Sequence, residues 1–344
     1  MNGLGRQLIL TLALVSANDT IGAVDVDQNA VAAARSAFIE YMVTTHEFDR
    51  DVLARTLGEA EIVDRVLEAI SRPAERVMPW YEYRALFVSA SRIEAGAKFW
   101  LVHEDELRAA SIRYGVAPEM LVAILGIETF YGERTGIYRV LDSLSTLAFA
   151  YPPRSSFFTS ELEAYLLLTR EEGLDPLETH GSYAGAMGAG QFISSSFRAY
   201  AVDGNGDGRR DLWENWQDVF ASVANYFNVH GWRHGGPVVA RATLGTGWSR
   251  TASENSMELT ETVASLSQLG YIFSSELPNT AATTILSVQG EDEQEYWVGY
   301  HNFRVITRYN RSVKYALAAH ELGQAVLAAY SQLQAETRTE YTGA

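Results

Sequence analysis

Glu128 is the residue in this chain whose surroundings best suit chemistry. It lies in the stretch from Pro118 to Gly136, where Leu121, Ile124, Leu125 and Glu128 fall at i, i+3, i+4 and i+7. Helical spacing puts the carboxylate on one stripe with three large aliphatics. Met120, Val122 and Ile127 occupy the opposite face, so the spacing predicts a helix buried nearly all round. Pro118 marks its start, and Gly132 and Gly136 are candidate stops. Burial disfavours the charged carboxylate, so the expected pKa lies above the model-peptide level of about 4.3. A neutral carboxyl near neutral pH is what a general acid requires. The structural alternative is a Glu held by a backbone N–H or by a nearby arginine such as Arg134.

A second stretch suits a hard cation. Residues 203 to 214 match the twelve-residue EF-hand loop, with Asp203, Asn205 and Asp207 at positions 1, 3 and 5, Gly208 at the turn, Asp211 at 9 and Glu214 at 12. Calcium takes six or seven oxygens, so alternate side chains turn inward, the Arg209 carbonyl adds one, and Glu214 can bind through two. Arg210 stands at position 8, where an apolar residue usually pairs two such loops, which implies a solitary structural site. A metal-free Asx turn is the alternative. Upstream, Gly181 to Phe192 is dense in glycine but lacks the spacing of a phosphate cradle. It reads as a tight loop whose backbone approaches a ligand or packs under a helix.

The elements that must position these residues are mostly helices. Residues 29 to 72 read as helix, Pro73, Pro79 and the Trp80–Tyr83 cluster break the pattern, and helices resume from Phe87 to Tyr114. Leu141 to Tyr151 and Ser160 to Glu172 also read as helices, separated by an extended turn at Tyr151-Pro152-Pro153-Arg154. Ser194 to Val202 and Glu214 to His230 flank the acidic loop as helices, and Met257 to Gly270 carries helical leucine spacing. Thr283 to Val288 and Glu295 to Ile306 alternate and are rich in β-formers, so they read as a hairpin. Ser312 to Tyr330 returns to helix. Together these give a mainly α protein with a small β insertion, an α+β class.

Composition narrows the partners. With 27 basic and 43 acidic residues the formal charge is −16, which argues against nucleic acid or an anionic membrane surface. No cysteine is present, so disulfides, thiolate catalysis and a cysteine-borne lipid anchor are excluded. Arg6, the apolar run Leu8 to Val15 and the small-residue pattern ending at Ala17 resemble a secretory signal, with Ala23 as a second cleavage point. The expectation is an exported, soluble, periplasmic monomer.

Several ordered motifs carry a family resemblance. Ile127-Glu128-Thr129, Gly185 to Phe192, the Asp203 to Glu214 loop, Ala224 to Phe227 and Arg308-Tyr309-Asn310 together resemble the lytic murein transglycosylase B family over most of residues 30 to 330. The resemblance implies a lysozyme-like helical core with added helical and β portions. It divides the chain into a signal (1–23), an N-terminal helical region (24–115), a catalytic core (116–245), a small insertion (246–306) and a returning segment (307–344). It implies cleavage of the β-1,4 bond between N-acetylmuramic acid and N-acetylglucosamine in peptidoglycan glycan strands, leaving a 1,6-anhydro ring. Glu128 then matches the sole catalytic acid and base, while Ser182, Gln191, Tyr226, Tyr309, Asn310 and Tyr315 match positions lining the saccharide groove. Arg154 matches one arginine of a Tyr-Pro-Arg-Arg segment, and Pro153 stands where the other is usual. The acidic loop matches a calcium site of some members. A hydrolytic muramidase and a catalytically idle peptidoglycan-binding scaffold are the competing readings.

Overall fold

The computed structural model describes residues 27–71, 78–250 and 253–342. The signal-like segment lies outside the described residues. The expected N-terminal helical region resolves into six helices: α1 (Gln28–His46), α2 (Arg50–Gly58), α3 (Asp64–Ser71), α4 (Trp80–Phe87), α5 (Ala90–Val102) and α6 (Glu104–Tyr114). Asp27 and Asp49 start α1 and α2 by accepting hydrogen bonds from backbone N–H groups of the first turn. The Trp80–Tyr83 cluster, read as a break, is itself the first turn of α4. Pro79 is the N-cap and directs the chain into the helix.

The central helix α7 (Pro118–Thr129) starts at Pro118, as expected, and every residue from Met120 to Thr129 is buried. It stops before either candidate glycine because Phe130 and Tyr131 both adopt left-handed backbone, φ 52° and 62°. Helices α5, α6, α11 and α14 pack around it. After α7 come β1 (Tyr138–Arg139), α8 (Val140–Phe149), a 3-10 turn at Pro152–Arg154 where an extended turn was expected, and α9 (Ser155–Glu172). Then follow β2 (His180–Gly181), α10 (Ser194–Tyr200) and α11 (Trp216–Val229). Strands β1 and β2 pair antiparallel, which brings the glycine-rich loop back beside the end of α7.

The β insertion is larger than a hairpin. Strands β3 (Val239–Leu244), β4 (Glu261–Thr262), β5 (Tyr271–Ile272), β6 (Ala282–Gln289) and β7 (Gln294–Gly299) form one antiparallel sheet in the order β4-β6-β7-β3-β5. The hairpin sits where alternation put it, with Gln289 opposite Gln294. The sheet also recruits β3 from ahead of residue 246. Only α12 (Val263–Gln268) of the helical stretch 257–270 forms.

The strand reading of Glu295 to Ile306 holds only to Gly299. From there α13 (His301–Tyr309) takes over, because Phe303, Ile306 and the pair Val305 and Tyr309 recur at helical spacing and are all buried. The last helix, α14 (Val313–Thr342), lies across α5 and α7. A second, smaller core of Ala242, Val263, Leu266, Tyr271, Ile285, Val298 and Tyr300 belongs to the sheet.

His320, on α14, is mostly buried, and burial lowers its pKa from 6.5 to about 4. Its neutral form is therefore favoured by folding, and the unfolded chain binds the proton first. This contribution is complete above about pH 6.5 and is lost as the pH falls toward 4, on the order of 2 to 3 kcal/mol. Urea denaturation across that range should show a His320→Gln variant losing less stability on acidification than the parent.

Candidate active site

Glu128 occupies the last turn of α7 and is 4% exposed. Its Oε1 accepts a 2.6 Å hydrogen bond from the Tyr315 hydroxyl, delivered by the first turn of α14. The sequence separation is 187 residues, so this contact exists only because α14 packs on α7. Tyr309, at the end of α13, donates its hydroxyl to the Gly190 carbonyl in the glycine-rich loop. Both phenols are held well above their usual pKa, first by burial and then by the charge of Glu128. They stay protonated, so they can donate but not act as bases near neutral pH.

The glycine-rich loop is fixed by its own main chain. Ser182 Oγ accepts from Ala184 N and Ala186 N at 3.3 and 3.0 Å. Gln191 has left-handed backbone, φ 51°, and its Nε2 donates to the Thr135 and Gly188 carbonyls, both at 3.0 Å. Gly188 has φ 69°, and a Cβ there would lie 2.4 Å from the Leu212 carbonyl, so no other residue fits. Thr129 ties the loop to α7. Its hydroxyl donates to Ala189 O at 2.8 Å and accepts from Gly132 N at 3.0 Å. Sequence reasoning carried Thr129 only as part of a motif, and its position directly after Glu128 was the available signal.

The structure thus brings Glu128, Tyr309 and Tyr315 together with the Gly190 backbone. Tyr226 joins them, since its ring meets that of Tyr309 at 4.9 Å and its hydroxyl donates to Arg308 O at 2.6 Å. Open tyrosine platforms along a groove are not what this arrangement provides. Tyr226, Tyr309 and Tyr315 are at most 1% exposed, because their hydroxyls are committed within the core and their rings pack on one another. Ser182, Gln191 and Asn310 are also buried. Half-buried aromatic faces belong instead to Phe130, Tyr151, Phe157 and Tyr183. Arg154 lies over the rings of Phe157 and Phe158 at 4.4 and 5.0 Å, and burial draws its pKa down.

Four carboxylates are buried among the described residues: Glu128, Asp142, Glu161 and Asp218. Asp142 is bound by Arg139 and by the Glu61 N–H. Glu161 accepts from Ser195 N and Ser195 Oγ, and burial raises its pKa. Asp218 accepts from Gly204 N and Asp211 N. Each of these three braces a loop or helix start, whereas Glu128 accepts from the Tyr315 phenol.

In the acidic loop, Gly206 and Gly208 take left-handed backbone. Asp203 accepts from Gly208 N, Gly206 N and Asp207 N, and these N–H groups hold its carboxyl below the usual range. Arg210, the departure at position 8, forms an ion pair with Glu172 that anchors the loop to α9. Glu214 is exposed and lines an open hollow with Glu106, Asp211 and Trp216. Asp218, which sequence reasoning missed, lies buried behind the loop. Burial raises its pKa and the charge of Asp203 adds to the rise. The all-oxygen donors fit a hard cation. Among the described residues, however, no three acidic or histidine side chains converge on one metal position.

A helical core around the buried Glu128, with a glycine-rich loop and a small sheet appended, defines a lysozyme-like α+β protein. The chain belongs to the family described as the transglycosylase SLT domain, whose model matches residues 30–324. It is 40% identical over 304 residues to the membrane-bound lytic murein transglycosylase B of Escherichia coli K12, covering 86% of this chain and 83% of that one. Soluble lytic transglycosylase SltB1 from Pseudomonas aeruginosa superposes with a TM-score of 0.80 at 43% identity, covering 86% and 99% of the two chains. The Escherichia coli lytic transglycosylase SLT35, solved in complex with calcium, superposes with a TM-score of 0.79 at 39% identity, covering 87% and 94%.

Proposed function

We propose that this protein is a peptidoglycan lytic transglycosylase that cleaves the β-1,4 bond between N-acetylmuramic acid and N-acetylglucosamine, with Glu128 as its single acid and base. The observation that carries the reading is Glu128 itself, buried at the end of α7 with Tyr315 donating to it. In the first step the protonated carboxyl gives its proton to the glycosidic oxygen as the C1–O bond breaks. The N-acetyl group of the muramyl sugar stabilises the cation at C1. In the second step the carboxylate removes the proton of the muramyl C6 hydroxyl, whose oxygen closes on C1. Acid and base roles return Glu128 to its starting state, and no water is consumed.

Hydrolysis by the usual route needs a second carboxylate about 5 to 9.5 Å from the first. The other buried carboxylates are committed to bracing, which favours the internal hydroxyl over an activated water. Digestion of purified sacculi followed by mass spectrometry tests the reading. Anhydro-muropeptides are expected, and reducing-end products without any anhydro species would establish a muramidase instead.

The half-buried rings of Tyr151, Phe157 and Tyr183 offer faces for sugar stacking, and Arg154 offers a cation for an anionic substituent. Ser182, Gln191 and Asn310 supply polar contacts once the groove opens around a glycan. The location consistent with this substrate and with the signal-like N-terminus is the periplasm, where the protein acts as a soluble monomer.

One structural calcium belongs to this proposal, held by Asp203, Asn205, Asp207 and the Arg209 carbonyl, with Asp211 and Glu214 completing the loop. The ion would brace the segment joining α10 to α11. Saturating calcium at a hundredfold excess over Kd adds about 2.7 kcal/mol, which corresponds to a Tm rise of about 4 °C for a chain of 344 residues. Differential scanning fluorimetry with calcium and then a chelator measures it, and an unchanged Tm would remove the site.

A further inference from the structure

Two guanidinium groups gather on one aromatic ring beside the catalytic helix, and the proposed reaction does not use them. The guanidinium carbon of Arg92 lies 5.1 Å from the centroid of Phe130, and that of Arg134 lies 4.9 Å from the same centroid. Phe130 is two residues past Glu128 and is half-buried, with left-handed backbone that a phenylalanine rarely adopts. Both arginines are fixed there by main chain. Arg92 Nε donates to Gly126 O at 3.0 Å, two residues before Glu128, and Arg134 N donates to Thr129 O at 2.8 Å. Tyr131, the second left-handed residue, donates its hydroxyl to Arg92 O at 2.8 Å and so closes the cluster.

Several arginines of this acidic chain meet carboxylates, as at Arg139 with Asp142 and Arg210 with Glu172. Neither Arg92 nor Arg134 has an ion-pair partner among the described residues, although the chain carries sixteen excess negative charges. Two cations close together cost energy that an anion would relieve. Arg92 shows the cost, since burial and the charge of Arg134 both disfavour its protonated form. The cluster also continues a row of rings. Tyr83 meets Phe87 at 4.9 Å, and Arg92 lies 5.3 Å from the Phe87 centroid.

We propose that Phe130, Arg92 and Arg134 form a subsite for a carboxylate of the peptide that peptidoglycan carries beside the scissile bond. The ring takes the apolar part of the peptide, and the planar guanidinium groups take its carboxylate in charge-assisted hydrogen bonds. This subsite rests on the transglycosylase reading. Arg134 is exposed and holds little of the fold through its side chain, so it is the position to change.

The experiment compares cleavage of glycan strands bearing stem peptides with cleavage of the same strands stripped by an amidase, which leaves only the lactyl carboxylate. Arg134→Gln should lower the ratio of kcat/KM values, peptide-bearing over stripped, about fivefold to tenfold, mainly through KM. Arg134→Lys should recover part of that ratio, and added salt should lower it in the parent but not in Arg134→Gln. An unchanged ratio would overturn the peptide assignment, and equal losses on both substrates would reassign the cations to the lactyl group. If the parent yields no anhydro product from either substrate, the transglycosylase reading fails instead. Calorimetric binding of a peptide-bearing muropeptide to Glu128→Gln protein, with and without Arg134→Gln, then decides the subsite by itself.

Discussion

Replacing Glu128 with Gln should lower kcat on peptidoglycan by on the order of 10^3-fold to 10^4-fold, with substrate binding retained. One residue is asked to donate a proton in one half of the reaction and to accept one in the other, so the amide removes both contributions at once. Gln keeps the volume of the buried site and can still accept from Tyr315, so the fold should survive. Turnover of purified sacculi and cosedimentation with them separate the outcomes. Protein that binds and does not cut supports the catalytic role, whereas near-parental turnover would return Glu128 to a structural part and favour a different acid. A binding scaffold makes the opposite prediction, since its cellular function should be indifferent to the change.

Removal of the Tyr315 hydroxyl should give the next largest effect. In Tyr315→Phe the carboxylate loses a 2.6 Å charge-assisted hydrogen bond inside the core. Losses of about 1.5 to 3 kcal/mol attend such a deletion, or about tenfold to a hundredfold in kcat/KM if it acts in the transition state. The direction with pH distinguishes this from general damage. The hydroxyl favours the ionised form of Glu128, so its loss makes the proton harder to remove. The acid form then persists to higher pH, and the alkaline limb of the kcat/KM profile should move upward. A uniform fall in rate with an unshifted limb would mean that Tyr315 serves packing alone.

The contrast between Glu128 and the other buried carboxylates explains why a single acidic residue can be singled out. Asp142, Glu161 and Asp218 each receive hydrogen bonds that fasten one backbone segment to another. Their burial is offset by structural work, as buried charges generally require. Glu128 is held by a phenol of a distant helix, in a wall of aromatic rings that a bound sugar would seal from water. Thr129 ties that helix to the glycine-rich loop through its hydroxyl.

Helices were legible from spacing where burial followed a single local period. Pro118 at the start of α7 and the apolar run to Ile127 fixed that helix, and the alternation from Thr283 to Val288 fixed β6. Boundaries failed where a neighbour rather than the segment chose the conformation. Strand propensity in Tyr300 to Ile306 yielded to α13, since Phe303, Ile306 and Tyr309 pack into the main core only as a helix. Helix α7 ended early for a similar reason: Phe130 and Tyr131 turn left-handed, Tyr131 reaches the Arg92 carbonyl, and the guanidinium groups of Arg92 and Arg134 lie against the Phe130 ring.

By itself the sequence determined a lone carboxyl in an apolar helix, the oxygen-rich loop, the glycine-rich loop and the family resemblance, because each is a local pattern of residue types at fixed spacing. It could not determine that Tyr315 would point at Glu128, that Tyr226 and Tyr309 would close into a wall instead of standing open, or that Asp218 would lie behind the acidic loop. Those placements come from packing between α7, α11, α13 and α14, where Glu128 and Tyr315 meet across 187 positions. Short-range periodicity carries no information about such distances, since the direction of each side chain is set by the helix it meets.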